Sequence, residues 1–238
     1  MRILIFALVI FAGAGLGLHA ANLPPWFVSL REAVYMNQLS ANEIAPLARD
    51  AAARARSELS GAQQLAMLSR IEYMMGRAYL NDGREREAFD RFSEGIDLAE
   101  RSLAAGDNAE AWEMLAANIA RSIVVRSTLF AIRHGPRVER YSRNALARDS
   151  RNFGAQYMIA SRWVFAPAPF NNLERGLTMM KAIPDESDMD DHARFNVYTG
   201  LAFAYIQLRR PAEARPWIVR ALEIYPTNKF AIELLEGI

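Results

Sequence analysis

The side chains that most often carry catalytic chemistry are scarce in this sequence. It contains no cysteine, which excludes disulfides, thiolate nucleophiles and thiolate metal sites. His134 precedes Gly135-Pro136 at a predicted turn, and His192 lies among acidic residues at a predicted helix start. Neither histidine stands in an HExxH or related metal-ligand spacing, and no GxSxG nucleophile motif is present. We therefore predict that the protein is not an enzyme and has no metal or other cofactor.

The charged residues favour some partners over others. The formal net charge is +1, far from the basic balance of most nucleic-acid-binding proteins, so no nucleic-acid partner is expected. Residues 121–162 nevertheless contain nine arginines against Glu139 and Asp149, a local excess of seven positive charges (9 − 2). The simpler interpretation is that these arginines form solvated helix faces. The alternative is contact with a membrane surface, since such clusters attract anionic lipid headgroups.

The first twenty residues have the pattern of an export signal. Arg2 supplies a charged start, residues 3–12 are continuously apolar, and His19-Ala20-Ala21 offers small residues for cleavage. This pattern predicts a signal peptide over 1–20 and a periplasmic or otherwise secreted protein. The alternative is an uncleaved anchor, although the apolar stretch is short against the ~17–25 residues of a spanning helix.

The elements that would position any site are predicted to be helices. Beyond the signal, apolar residues recur at three- and four-residue spacings, the period of a helix that is buried on one face. Ser40 with Glu43, and Asn171 with Glu174, resemble capping boxes, and Asn81-Asp82-Gly83 marks a tight turn. The pattern predicts an all-α protein with helices over 25–37, 41–58, 62–80, 84–104, 108–133, 137–148, 153–165, 172–182, 190–208, 211–224 and 228–236.

Two windows of 34 residues repeat one arrangement of small and large apolar residues. Small residues at positions 8, 20 and 27 let two helices approach, and large residues fill the gaps between them. In 195–228 the pattern is carried by Tyr198, Leu201, Ala202, Tyr205, Ala214, Ile218, Ala221 and Pro226, and in 69–102 by Met75, Gly76, Tyr79, Ala88, Phe92 and Gly95. The window 195–228 closely resembles a tetratricopeptide repeat (TPR), and 69–102 resembles one with Glu72 and Glu100 departing from the pattern.

Two further copies between these windows are distorted. One begins at Trp112 and contains about ten extra residues between its halves, and another spans about 153–184 with a lengthened turn at 166–170. The layout also resembles the helical domain of the regulator of microtubule dynamics family, from which only the fold is carried over. The resemblance implies a right-handed α-solenoid of antiparallel helix pairs over 61–238, with distorted middle repeats. Residues 22–60 are predicted to form N-terminal helices that pack on or cap this solenoid.

In such a solenoid, the first helix of each pair lines the concave face. Aromatic side chains there supply contact area, and arginine or asparagine can hold the carbonyls or carboxylates of an extended peptide. The resemblance therefore implies a non-enzymatic binding or scaffold protein that docks a protein or peptide partner in its groove. The positions that would face this partner are occupied by Tyr73, Arg77, Asn81, Arg121, Tyr157, Asn196, Thr199 and Phe203.

Two other functions stay open at this point. The first is a small-molecule or lipid carrier, whose apolar cavity would be lined by Phe165, Phe170, Met179 and Met180 near the lengthened turn. The second, less favoured, is a hydrolase, because Ser–His–Asp and paired-carboxylate sites are assembled from residues distant in sequence. A carrier predicts an enclosed apolar cavity, whereas an enzyme predicts titratable groups that converge in a cleft.

Overall fold

The structure is a computed structural model that describes residues 23–183 and 189–238. Within these ranges it contains eleven α-helices and no strand, which confirms the all-α prediction. The predicted signal peptide over 1–20 lies outside the described residues. None of the described helices is both long and apolar enough to cross a membrane. The helices are α1 Pro25–Met36, α2 Ala41–Glu58, α3 Gly61–Asn81, α4 Glu85–Ala105, α5 Ala109–Val124, α6 Thr128–Arg148, α7 Phe153–Phe165, α8 Leu173–Lys181, α9 Asp191–Gln207, α10 Pro211–Ile224 and α11 Lys229–Glu236.

Polar caps set most of the helix starts. Ser40 and Glu43 form the predicted capping box: the Ser40 hydroxyl accepts from the Glu43 amide, and the Glu43 carboxylate accepts from the Ser40 amide at 2.9 Å. At α8 the cap is Asn172, whose side chain accepts from the Arg175 amide, so the prediction of Asn171 is wrong by one residue. Side-chain caps also begin α5, α6, α7, α9 and α11, at Asn108, Ser127, Asn152, Asp190 and Asn228.

The boundary between α5 and α6 differs most from the prediction. The chain breaks at 125–127, where Ser127 caps α6, and α6 then continues through His134, Gly135 and Pro136. The predicted turn at these residues is therefore wrong. Pro136 is tolerated because it lies on an exposed face, where water can reach the helix carbonyl that proline leaves unpaired. The extra residues of this repeat thus lengthen its second helix instead of its turn.

Consecutive helices pack as antiparallel pairs with close backbone contact. At Gly76 in α3, an added Cβ would lie 2.4 Å from the fully buried Phe92 ring in α4, so any side chain there would force the ring or the helices to move. A Cβ added at Gly95 of α4 would likewise lie 2.5 Å from the Asn118 side chain of α5. The Gly76–Phe92 contact joins a small-residue and a large-residue position of the repeat pattern, and Gly95 occupies another of its small-residue positions. They confirm an α-solenoid of TPR-like helix pairs.

The pairs form two layers. Helices α3, α5, α7, α9 and α11 contact one another in succession, whereas the alternate helices α4, α6, α8 and α10 show no comparable mutual contact in the described residues. A stack whose odd-numbered helices are close and whose even-numbered helices are spread apart is curved, with the odd-numbered helices inside. We call the surface of α3, α5, α7, α9 and α11 on this side the inner face.

Helix α1 links the first pairs of the solenoid to the last. On one side it packs against α2 and α3. On the other, the Asn228 amide donates to the Tyr35 carbonyl at 2.7 Å, and the Thr227 hydroxyl donates to the Met36 carbonyl. A buried ion pair joins Arg31 to Asp190 at 2.6 Å. These contacts connect residues more than 150 positions apart and hold the two ends of the curved array together.

Candidate binding site on the inner face

Two arginines from neighbouring inner helices converge on one tyrosine. Arg77 and Tyr73 lie one turn apart on α3, and the Arg77 Nη1 atom is 3.5 Å from the Tyr73 hydroxyl oxygen. From α5, Arg121 Nε approaches the same oxygen at 3.4 Å. The helix pairing that stacks α5 against α3 thus creates a site with two guanidiniums around one hydroxyl.

Neither of these guanidiniums has a carboxylate within ion-pair distance in the described part of the chain. Their neighbours on the same face are paired: Arg31 with Asp190 at 2.6 Å, and Arg70 with Glu113 at 3.3 Å. Arg77 and Arg121 instead approach the Tyr73 hydroxyl, and Arg77 also lies over the Tyr35 ring. Both are partly shielded from water, so the site carries an uncompensated positive charge in a place where charge is costly.

Tyr35 of α1 completes one side of this site. The Arg77 guanidinium lies over its ring, 4.2 Å from the centroid. The Tyr35 hydroxyl is buried and has no hydrogen-bond partner. Tyr35 was not predicted from the sequence, because its approach to α3 depends on how α1 packs.

The environment shifts the pKa values of the three tyrosines in different directions. Burial raises the pKa of Tyr73, but the guanidiniums of Arg121 and Arg77 outweigh burial and lower it to about 8. Burial raises the pKa of Tyr157 to about 12, although Arg121 favours its ionised form. Burial also raises the pKa of Tyr35. Tyr73 is therefore the one of these three tyrosines whose pKa the two arginines lower below its ordinary value.

Helix α9 contributes His192 and Asn196. The Asn196 amide nitrogen lies 3.0 Å from His192 Nε2, and the His192 ring packs edge-on against Tyr35 with centroids 4.4 Å apart. Burial, reinforced by nearby guanidiniums, holds the pKa of His192 well below its ordinary value. His192 is therefore a neutral, uncharged neighbour of the site, and its Nδ1 atom is buried without a partner.

A separate ion cluster lies further along α3 and α5. Arg70 faces Glu113 at 3.3 Å and Glu110 at 3.9 Å, and the Asn152 amide donates to Glu113 at 3.1 Å. Burial raises the pKa of Glu110 to about 7, although Arg70 opposes the shift. These carboxylates compensate Arg70 and bridge α3, α5 and α7. The described residues contain no group of three or more side chains suited to hold a metal ion.

The structure brings Tyr73, Arg77 and Arg121 together and separates some of the other predicted site residues from them. Asn81 donates its amide to the Val34 carbonyl at 3.2 Å, so it holds α1 in place. Thr199 is buried, and its hydroxyl donates to the Phe195 carbonyl at 2.9 Å. The Thr199 hydroxyl is therefore engaged within its own helix, apart from the site that Tyr73, Arg77 and Arg121 form.

Phe203 lies in an aromatic row on the inner helices. Its ring is 4.9 Å from that of Phe165 on α7 and 6.3 Å from that of Phe230 on α11. Phe165 and Phe230 are partly exposed, at 42% and 38%. We call Phe165, Phe203 and Phe230 the aromatic row.

The residues predicted to line a carrier cavity do not share one environment. Met180 is fully buried in the core and packs near Gly200, whereas Phe165 and Phe170 are exposed. Met179 packs at the margin of the same core. These side chains therefore divide between core and surface.

Comparisons with known proteins add little to this geometry. No protein-family model matches the sequence, and no curated protein matches it. The chain is similar to a solved structure described as "YrrB: a TPR protein with an unusual peptide-binding site", with 16% identity, 91% of this chain and 100% of that chain covered, and a TM-score of 0.39. At this degree of similarity, the neighbour says nothing about what this chain binds.

Proposed function

We propose that the protein is a non-enzymatic helical binding module that docks a protein or peptide partner on its inner face. The observation that carries this proposal is the pair of guanidiniums, Arg77 and Arg121, around the Tyr73 hydroxyl without a carboxylate of their own. Partly buried cations are normally paired. An acidic side chain or terminal carboxylate of the partner would supply the missing anion, because arginine hydrogen-bonds carboxylates strongly.

The spacing of the inner helices suits an extended segment. Tyr157 and Phe165 are eight residues apart on α7, and Asn196 and Phe203 are seven apart on α9. At about 1.5 Å per residue, the charged site and the aromatic row are separated by about 10–12 Å along these helices. An extended peptide covers this distance in about three residues. The expected ligand thus has an acidic group with an apolar side chain about three residues away.

The same proposal includes export. The apolar N-terminal segment over 1–20 supports it. N-terminal sequencing of the protein purified from its own cells tests this part. A mature chain that begins near residue 21 or 22 would agree with a cleaved signal peptide, whereas an intact Met1 would contradict cleavage and favour an anchor.

The binding proposal is tested by crosslinking the tagged protein in its own cells and identifying its partner by mass spectrometry. The captured partner is then divided into peptides and their affinities are measured against variants. Arg121→Gln removes one charge at the site, and Phe203→Ala shortens the aromatic row. Because a hydrogen bond to a charged group contributes about 1.5–3 kcal/mol, Arg121→Gln should weaken binding by about 10- to 150-fold. Arg101→Gln, an exposed arginine on α4, is the matched control.

A spectroscopic readout separates direct recognition from an indirect effect. In the free protein Tyr73 should ionise with a pKa of about 8, in a titration step that is detectable by ultraviolet absorbance and absent in Tyr73→Phe. A bound carboxylate compensates the arginines, so the pKa of Tyr73 should rise towards its ordinary value. Partner binding that leaves this titration unchanged and survives Arg121→Gln would refute the proposed anchoring at the inner face.

A further inference from the structure

The outer surface of α6 carries a continuous exposed stripe that the inner-face site does not use. At about 100° per residue, six of its side chains fall within a sector of about 100°. All six are exposed, and the opposite side of the helix, with Val138, Tyr141 and Ala145, is buried. We call these six residues the outer stripe: Leu129, Ile132, Arg133, Pro136, Arg140 and Arg143.

One end of the outer stripe is strongly apolar. Leu129 and Ile132 are 74% and 59% exposed, and Val124 at the end of α5 is 62% exposed. These are the three most exposed large aliphatic residues among those that the structure describes. They lie at the hairpin tip that the lengthened α6 creates. A solvated helix face accounts for the arginines of α6, but it does not account for an aliphatic cluster beside them.

The other end of the stripe is positively charged. Arg133 and Arg140 have no carboxylate within ion-pair distance in the described residues, and Glu139 is shared by Arg143 and Arg162. A surface hollow of about 390 Å³ lies here, lined by Pro136, Glu139, Arg140, Arg143, Asn144 and Arg162. Arg140, Arg143 and Arg162 surround this hollow together with Glu139, which leaves an excess of two positive charges (3 − 1) beside the aliphatic end of the stripe.

We propose that the outer stripe binds the surface of an anionic phospholipid bilayer. Leu129 and Ile132 enter the interfacial region, and Arg133, Arg140 and Arg143 contact lipid phosphates. Exposed aliphatic side chains beside a row of arginines combine the two attractions that hold a protein on an anionic bilayer, namely burial of apolar area and contact with lipid phosphates. Nucleic acid offers no place for exposed aliphatic side chains at its phosphates. Since α6 belongs to the outer layer, a protein bound in this way keeps its inner face free for a partner.

The test is flotation of the purified full-length protein with two kinds of vesicles. One contains phosphatidylcholine alone, and the other a mixture of phosphatidylglycerol and phosphatidylcholine. We expect at least about tenfold stronger partitioning onto the anionic vesicles, weakened by added salt. The apolar segment over 1–20 has one charged residue, Arg2. Where that segment is retained, it is the same in every variant compared below, so differences among the variants report the outer stripe.

Two double variants and one control locate the binding surface. Arg133→Gln with Arg140→Gln should lower partitioning onto anionic vesicles about tenfold or more. Leu129→Ser with Ile132→Ser should lower it by a similar factor, and neither should change helicity or melting temperature because all four residues are exposed. Arg49→Gln with Arg56→Gln on α2 has the same charge change and the same seven-residue spacing, and it should bind like the unchanged protein.

Three results would overturn the proposal. The first is equal partitioning onto both kinds of vesicle. The second is an equal loss in the α2 control, which would show that net charge alone is responsible. The third is no vesicle binding together with an acidic protein partner that is crosslinked only when Arg133 and Arg140 are present, which would assign the outer stripe to a protein.

Discussion

Replacing Gly76 with alanine tests the packing that places α3, and with it Tyr73 and Arg77. An added Cβ would lie 2.4, 2.6 and 2.9 Å from three atoms of the Phe92 ring, where ordinary contact begins near 3.4 Å. The ring is fully buried, so the overlap of about 1 Å cannot be relieved by moving a flexible end. Either α3 and α4 separate or the ring leaves its rotamer.

The expected loss of stability in Gly76→Ala is the difference between two opposing contributions. Overpacking a well-packed core costs about 1–3 kcal/mol, and three atoms in overlap place this substitution at the upper end. Alanine favours the helix over glycine by about 1 kcal/mol. We therefore expect Gly76→Ala to lower the free energy of unfolding by about 2 kcal/mol, which corresponds to a fall of about 4–8 °C in melting temperature for a chain of this size.

Gly200→Ala is the matched control within α9. Its added Cβ would meet the Met180 Cε and Sδ atoms at 2.7 Å. Methionine has three rotatable bonds and adapts to such a change, so the gain in helix propensity should roughly cancel the cost. Urea and thermal unfolding followed by circular dichroism measure both variants. If Gly76→Ala equals or exceeds the stability of the unchanged protein, or loses no more than Gly200→Ala, the close approach of α3 and α4 is incorrect.

Two further predictions concern buried charges. The pKa of His192 lies well below 6.5 in the folded protein, so the folded state loses stability as the pH falls below 6.5. The pKa of Glu110 is raised from 4.5 to about 7, so the folded state loses stability as the pH rises from 4.5 to about 7. These effects oppose each other between about pH 5 and 6.5. His192→Gln should make the free energy of unfolding fall with rising pH by about 1.4 kcal/mol per pH unit, and Glu110→Gln should make this free energy rise with pH. Slopes of equal sign in the two variants would contradict both assignments. Asp190→Asn keeps a side-chain cap for α9 but removes the charge that pairs with the buried Arg31, so it should cost about 3–5 kcal/mol. Asp191→Asn, at the 73% exposed neighbour, should cost less than about 1 kcal/mol in the same urea titration. Equal costs would mean that the Arg31–Asp190 contact does not hold α1.

Local sequence patterns predicted the helices accurately where helix and cap signals agree. Ser40 and Glu43 marked the start of α2 because a capping box is formed by residues three positions apart. The prediction failed at α6, because Gly135-Pro136 indicated a turn, whereas the chain breaks before Ser127 and the helix continues through the proline. Proline breaks a helix only when the surroundings cannot accommodate the lost hydrogen bond, and whether its ring lies on an exposed face depends on how α6 packs.

The candidate site was predicted in part. Tyr73, Arg77 and Arg121 were identified because a repeat places residues at equivalent positions on neighbouring inner helices. Tyr35 and His192 were missed, since no local pattern relates α1 to α9. Thr199 was predicted on the same positional basis as Tyr73, but the structure buries it.

The sequence by itself determined the helical class, the spacing of the small residues and the paired stacking of helices, because these depend on contacts between residues close in the chain. Only the tertiary structure decided that α1 joins both ends of the array through Arg31–Asp190 and Tyr35–Asn228. It also decided which arginines form ion pairs with carboxylates: Arg70 is paired with Glu113, whereas Arg77 has no carboxylate within ion-pair distance in the described residues. The curvature accumulated over successive helix pairs brings these distant side chains together, and no single repeat contains that information.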